Sequence, residues 1–302
     1  MKKLLILLLS ITAALSPATA AKKPPRTLPG GWVYTWGDEF NGSRLNTKYW
    51  SPELGVIRNK GTLQTYTEDA LKFKRGYLLI NTEHEETENC NYQEGATNWI
   101  GSIKTQPYSS GSITTKGKKD LLYGRLEVRA KMPEAKGAWP AIWLVGSNGW
   151  GWPKCGEIDI LEHLSQSPGK CFMTLHWGKG GTQSVANKGF TSDIPNPYNK
   201  FHVYAMEWDK DEMVMFIDDD EVARWDLSMA DYPDGTNPFR TPHHLIINTA
   251  IGGNGTWPEH ADAKDYPVSY IIDYVRYYTK KDSADDDEDE DDKKKRKKKS
   301  RR

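Results

Sequence analysis

Arg125-Leu126-Glu127-Val128-Arg129-Ala130-Lys131 alternates without a break. Leu126, Val128 and Ala130 fall on one side of an extended chain, and Arg125, Glu127, Arg129 and Lys131 on the other, because successive side chains of a strand point to opposite faces. The heptapeptide therefore predicts a strand with one face in a core and one in water. The same period of two returns at Tyr77 to Thr82, Cys171 to Trp177, Phe201 to Trp208, Met213 to Asp218, His244 to Ile251 and Tyr270 to Tyr278. Gly, Pro, Asn or Asp separates these runs, and Asp218 to Asp220 reads as a hairpin turn between two of them. No stretch carries helical periodicity for more than a few turns. Many antiparallel strands in one domain predict an all-β sandwich or jelly roll.

The two ends of the 302-residue chain differ from its middle. Lys2 and Lys3, the apolar run Leu4 to Leu9 and the small residues Ala18-Thr19-Ala20 predict a signal peptide over residues 1–20. The rival reading is an uncleaved anchor, but the run is short of the roughly 20 apolar residues a span needs, as is every later stretch. A secreted or periplasmic protein with no membrane span is expected. Residues 282–302 are an acidic block followed by a basic one; neither can bury apolar surface, so a disordered tail is expected. A basic run inside a cell would suggest nucleic acid. In an exported chain, beside an acidic block, it reads as a solubilising or tethering tail, and no nucleic-acid partner is expected.

The totals of 41 basic and 41 acidic residues conceal these opposed blocks. Residues 22–281 remain, the size of one large all-β domain, expected as a monomer. Cys90, Cys155 and Cys171 are too few for a disulfide scaffold and lack zinc-site spacing. If one bridge forms in an oxidising compartment, Cys155 with Cys171 is the expected pair, since the two flank strands read as neighbours.

Ala138 to Val145 places Trp139, Ala141 and Trp143 on one strand face and Pro140, Ile142 and Leu144 on the other. With the aliphatic face in the core, two indoles remain outside, in position to stack on the C–H faces of sugars. An isolated Trp pair more often fills a core. Twelve tryptophans in the chain, many beside Gly or Pro, favour carbohydrate binding.

Cys155-Gly156-Glu157-Ile158-Asp159-Ile160-Leu161-Glu162-His163 carries the chemistry. Ile158 and Ile160 should face the core, leaving Glu157 and Asp159 opposite. Strict alternation would then put Leu161 on the acidic face; one extra residue, a β-bulge, returns Glu162 to it. Clustered acids disfavour one another's ionisation, and glycoside hydrolysis uses such a set, a carboxylate beside a protonated carboxylic acid. A metal site or a solvated sheet face are the alternatives, and the flanking Trp residues argue for catalysis.

The motif Glu157 to Glu162, with Trp152-Pro153 upstream, resembles the catalytic signature of glycoside hydrolase family sixteen, in its bulged, laminarinase-like branch. Asp38 to Gly42, Leu63 to Thr67, Tyr123-Gly124-Arg125, Trp139 to Leu144, Thr174-Leu175-His176, Asn248 to Asn254 and Ile272 to Arg276 are similar to family segments in the same order.

The resemblance implies a jelly-roll sandwich of two curved antiparallel sheets, concanavalin A-like, with the cleft on its concave face. It implies Glu157 as nucleophile, Asp159 as supporting carboxyl and Glu162 as general acid/base, with Trp139, Trp143, His176 and Asn59 binding sugar. It implies a retaining endo-β-glycosidase acting on β-1,3-glucan, with no catalytic cofactor. Mixed-linkage glucan and marine galactan are the alternative substrates; from another class, the alternative is a non-catalytic glucan-binding protein. A structural calcium near Glu39, Gly76 and Asp273 is also implied, the first two through backbone oxygens. Two departures stand out: Ser112 replaces an arginine frequent in relatives, and Glu83 to Gln106 fits the family poorly, as an insertion shaping one cleft end would.

Overall fold

The computed structural model describes residues 23–280; the expected signal peptide and charged tail lie outside the described residues. The alternating heptapeptide forms the strand Gly124–Lys131, central in an 11-stranded sheet. His202–Trp208 pairs with it on one side and Val268–Lys280 on the other, both antiparallel. Outward from these run Glu212–Ile217 and Asp220–Asp226 in one direction and Tyr77–Glu88, Thr105–Ser110 and Gln64–Tyr66 in the other. Thr105–Ser110 and Gln64–Tyr66 form a parallel pair in an otherwise antiparallel sheet. The hairpin expected at Asp218 to Asp220 has a two-residue turn, Ile217 opposing Asp220. Asp218 and Asp219 both have positive φ, the turn whose twist matches that of its flanking strands.

A second, 8-stranded sheet has the order Val185–Asp193, Lys170–Gly178, Glu157–Glu162, Ala138–Gly146, His243–Ile251, Ser112–Thr114 and Ser51–Pro52, with Asp120–Leu121 also pairing with His243–Ile251. The two sheets make a β-jelly-roll sandwich. Their facing sides bury one core, with Leu126, Val128, Tyr204, Met206 and Ile272 from the first sheet and Ile142, Leu144, Ile158, Leu175 and Ile247 from the second. Among the described residues, helix is confined to the single turn Trp99–Ser102 and a few 3-10 turns, and no helix is long and apolar enough to cross a membrane.

Two expectations are corrected. The polar face of Gly124–Lys131 is not wet throughout: Arg125 and Glu127 are buried. Each is covered by its lateral neighbours, which the alternation of one strand cannot reveal. Arg125 bonds Glu127 and Glu207 at 2.8 Å each and lies over the Phe216 ring, while Arg129 pairs with Asp273.

Cys155 and Cys171 are buried free thiols rather than a bridge. The hairpin sets Glu157 against His176 and Glu162 against Phe172, so the two cysteines sit at opposite ends of the pair. About seven residues at ~3.3 Å rise separate them along the pair, far beyond the ~7 Å limit between bridged Cα atoms.

Candidate active site

The outer face of the second sheet carries a cleft of about 710 Å³. Glu157, Asp159 and Glu162 all line it, and a bulge is what makes that possible. Against Ala138–Gly146, Trp143 opposes Asp159 and Ile142 opposes Leu161, leaving Ile160 with no opposite residue. Ile160 and Leu161 both enter the core, and the phase of the strand is reset so that Glu162 emerges beside the other two acids. Gly156 sets the start of the strand. Its φ is +86°, and a Cβ there would lie 2.9 Å from Pro238 Cβ and 3.1 Å from His243 Nε2.

Each outer carboxyl is held by an indole. Trp152 Nε1 donates to Glu157 Oε2 at 2.8 Å, and Trp139 Nε1 donates to Glu162 Oε1 at 3.1 Å. His176 Nε2 lies 3.2 Å from Asp159 Oδ2 and 4.0 Å from Glu157 Oε1.

The environments separate the acids. Burial raises the Glu157 carboxyl, while His176, the Trp152 N–H and Arg58 pull it back. Glu162 is raised well above the usual range, by burial first and then by Asp159 and Glu157. Asp159 is likewise raised well above it, by burial and the charge of Glu157. The arrangement favours one ionised carboxylate at Glu157 beside neighbours that keep their protons, the division of labour that acid-assisted displacement at a sugar needs.

The residues expected to bind sugar are brought together here: Trp139, Trp143, His176 and Asn59 all line the cleft. Trp143 Nε1 donates to Asn248 Oδ1 at 2.8 Å, and Asn248 Nδ2 donates to Tyr66 Oη at 3.0 Å, which fixes the indole plane. Arg58, Trp152, Asn187, Asn248 and Trp257 also line it without having been singled out as sugar-binding residues. Trp257 comes from the loop after His243–Ile251 and meets Trp139 edge-on at 5.9 Å between centroids. Arg58 and Trp257 sit in loops without periodic pattern; only the density of tryptophan beside Gly and Pro hinted at the second.

Ser112 does not leave the cleft without a guanidinium, because Arg58 Nη2 donates to its hydroxyl at 3.0 Å. Arg125, Arg129 and Lys131 face away from the core on the other sheet, remote from the cleft. In the Glu83 to Gln106 segment, the Tyr77–Glu88 strand runs on to a loop held by Asn89, whose side-chain amide donates to the carbonyls of Ile100 and Ile103.

At the positions named for a structural calcium, the Asp273 carboxylate faces the Arg129 guanidinium and the Glu39 carboxylate faces that of Arg276, so the ligand Glu39 would offer is its backbone oxygen. Among the described residues, the group of His and carboxylate ligands close enough to share an ion is Glu157, Asp159 and His176, two acids of the cleft and the histidine beside them.

Residues 65–276 match the family described as Glycosyl hydrolases family 16. A β-glucanase of Rhodothermus marinus is 32% identical, over 82% of this chain and 85% of its own. The laminarinase catalytic domain from Thermotoga maritima is 29% identical with a TM-score of 0.70, covering 83% of this chain and 99% of that one. A further solved structure comes from work on endo-acting O-glycanases that members of the human gut microbiota express to initiate mucin breakdown. It is 50% identical with a TM-score of 0.83, covering 87% of this chain and 96% of that one.

Proposed function

The chain belongs to glycosyl hydrolases family 16 and is a glycoside hydrolase of the endo-1,3-β-glucanase, laminarinase-like type, and we propose that it cuts its polysaccharide internally by a retaining, two-step displacement. Glu157 attacks the anomeric carbon while Glu162 gives its proton to the departing glycosidic oxygen, and a covalent glycosyl-enzyme forms. Glu162, now ionised, takes a proton from water; the resulting hydroxide character attacks the same carbon, Glu157 leaves as carboxylate, and the configuration is restored. Asp159 holds a proton between itself and Glu157 as charge moves off the nucleophile. The observation that carries this reading is the bulge, which gathers three acids of unequal basicity on one cleft wall.

β-1,3-Glucan is the first substrate reading, supported by the β-glucanase and laminarinase similarities. Mixed-linkage glucan belongs to the same reading. An O-glycan is a second one, and a specific observation favours it: 50% identity to the structure from the O-glycanase work, against 32% and 29% for the other two. Export through the expected signal peptide would suit either glycan.

The test incubates purified protein with laminarin, mixed-linkage glucan, agarose, carrageenan and mucin O-glycans, following reducing ends and product anomers. Retention is supported by products that first appear in the β-configuration. Release from mucin with none from laminarin replaces the glucan by the O-glycan and leaves the mechanism standing. Near-normal turnover by Glu157→Gln would sink the assignment of the nucleophile.

A further inference from the structure

Among the described residues lining the cleft, Arg58 is the one Arg or Lys side chain, and its charge is already matched. Nη1 donates to Glu53 Oε1 at 3.0 Å and Nη2 to Glu53 Oε2, a bidentate pair. Ser112 Oγ receives a bond from Nη2 and gives one to Glu53 Oε2 at 2.6 Å. The guanidinium carbon lies 5.1 Å from the centre of the Trp143 ring and 5.7 Å from that of Tyr66. Nε is buried and meets no acceptor among the described residues.

The chemistry of this cluster is restrictive. Burial works against an ionised Glu53, yet its bonds to Arg58, and then to Ser112, outweigh it and lower the pKa. Arginine stays charged throughout. The pair is therefore ionised and neutral in sum, fixed in plane by a hydroxyl and two rings. It lies on the same wall as an indole suited to stacking, in a cleft where the Glu157 carboxylate is the ionised acid and Asp159 and Glu162 hold their protons. A neutral sugar lying on Trp143 meets fixed N–H donors whose desolvation has already been met by Glu53. A sulfate or carboxylate in the same place meets Glu53 and the Glu157 carboxylate, with no second Arg or Lys among the described lining residues to balance it.

We infer that the Glu53–Arg58 pair is the specificity-determining element of this part of the cleft. Arg58 donates to a hydroxyl of the sugar stacked on Trp143, and Glu53 cancels its charge so that anionic sugars are refused. The inference rests on the hydrolase reading above.

It is tested with the full chain, a neutral glycan that the wild-type protein cleaves and a chemically sulfated preparation of that glycan. The wild type should favour the neutral substrate. Glu53→Gln leaves the guanidinium uncompensated and should narrow that preference at least tenfold in kcat/KM. The double variant E53Q/R58M removes both charges together, so folding does not hinge on an unpaired buried ion; it should raise KM for the neutral glycan about tenfold with kcat within about twofold, a tenfold change being about 1.4 kcal/mol. An unchanged KM in the folded double variant, or an unchanged preference in folded Glu53→Gln, overturns the inference. If the wild type cleaves nothing, the hydrolase reading fails instead. Calorimetric binding of neutral and sulfated oligosaccharides to the same proteins then tests the pair alone, and equal affinities across them overturn it.

Discussion

Trp152 Nε1 donates to Glu157 Oε2 at 2.8 Å while more than half of the indole is open to solvent. The bond favours the charged form of the carboxylate, so it opposes the burial that raises Glu157. The carboxylate proposed as nucleophile is thus drawn toward its ionised form by a side chain that substrate itself can cover.

Trp152→Phe keeps the apolar ring and removes the donor. The Glu157 pKa should rise, so the acidic limb of kcat/KM should move to higher pH. On that limb the variant should lose about tenfold, since a hydrogen bond to a charged group contributes ~1.5–3 kcal/mol, and it should lose far less at the optimum. A pH–rate profile of the two proteins checks this; parallel profiles with an unshifted acidic limb would refute it.

Glu162 is raised well above the ordinary carboxyl range by burial, Asp159 and Glu157. Its proton is lost only at correspondingly high pH, so the basic limb of the profile should lie above the usual range of a carboxylic acid. Glu162→Gln should abolish that limb and slow polysaccharide cleavage ~10²–10⁴-fold. An aryl glycoside with an acidic leaving group should still form the glycosyl-enzyme, and added azide should release it as the β-azide. Absence of the azide product would remove Glu162 from the role.

Ile160 is the extra residue of the bulge and is buried in the core. Its deletion restores strict alternation, with Glu157, Asp159 and Glu162 still on one face. The expected variant is less stable by ~2–5 kcal/mol, the cost of losing a buried Ile side chain, yet keeps measurable activity. Urea unfolding and activity on the same sample check both parts. A folded deletion variant with no activity would mean that the bulge, and not the shared face alone, sets the working geometry.

Much of this architecture is legible in the sequence. Alternation locates the main strands because each has one face in the core, and the parity of Glu162 against Glu157 required a bulge if both were to serve one site. Local pattern fails where the cause is lateral. The burial of Arg125 comes from Glu207 and Phe216 on a neighbouring strand and beyond it. The Cys155–Cys171 expectation identified neighbouring strands correctly but ignored that a hairpin sends its ends apart. Arg58 and Trp257 enter from loops, where no period exists to read, and only the closed sheet shows that they reach the cleft.

His243 lies behind the start of the Glu157–Glu162 strand, fully buried, with Nδ1 bonded to the Thr241 carbonyl at 2.8 Å and Nε2 without a partner among the described residues. Its ring stacks on Phe239 and meets Trp208 edge-on. Burial lowers its pKa to about 4. A group depressed in the folded state contributes stability that is complete above its unfolded value, near 6.5, and is lost as pH falls toward the folded value. From pH 7 to pH 4 the unfolded chain therefore takes up a proton that the native ring refuses, a loss of about 3 kcal/mol at one pKa unit per 1.36 kcal/mol. His243→Gln is less stable than wild type at pH 7, where it lacks the stacked ring, but escapes this titration. The gap in unfolding free energy between the two proteins should shrink by about 3 kcal/mol over that range in denaturant titrations. A gap that stays constant with pH would show that the imidazole takes up its proton as readily folded as unfolded.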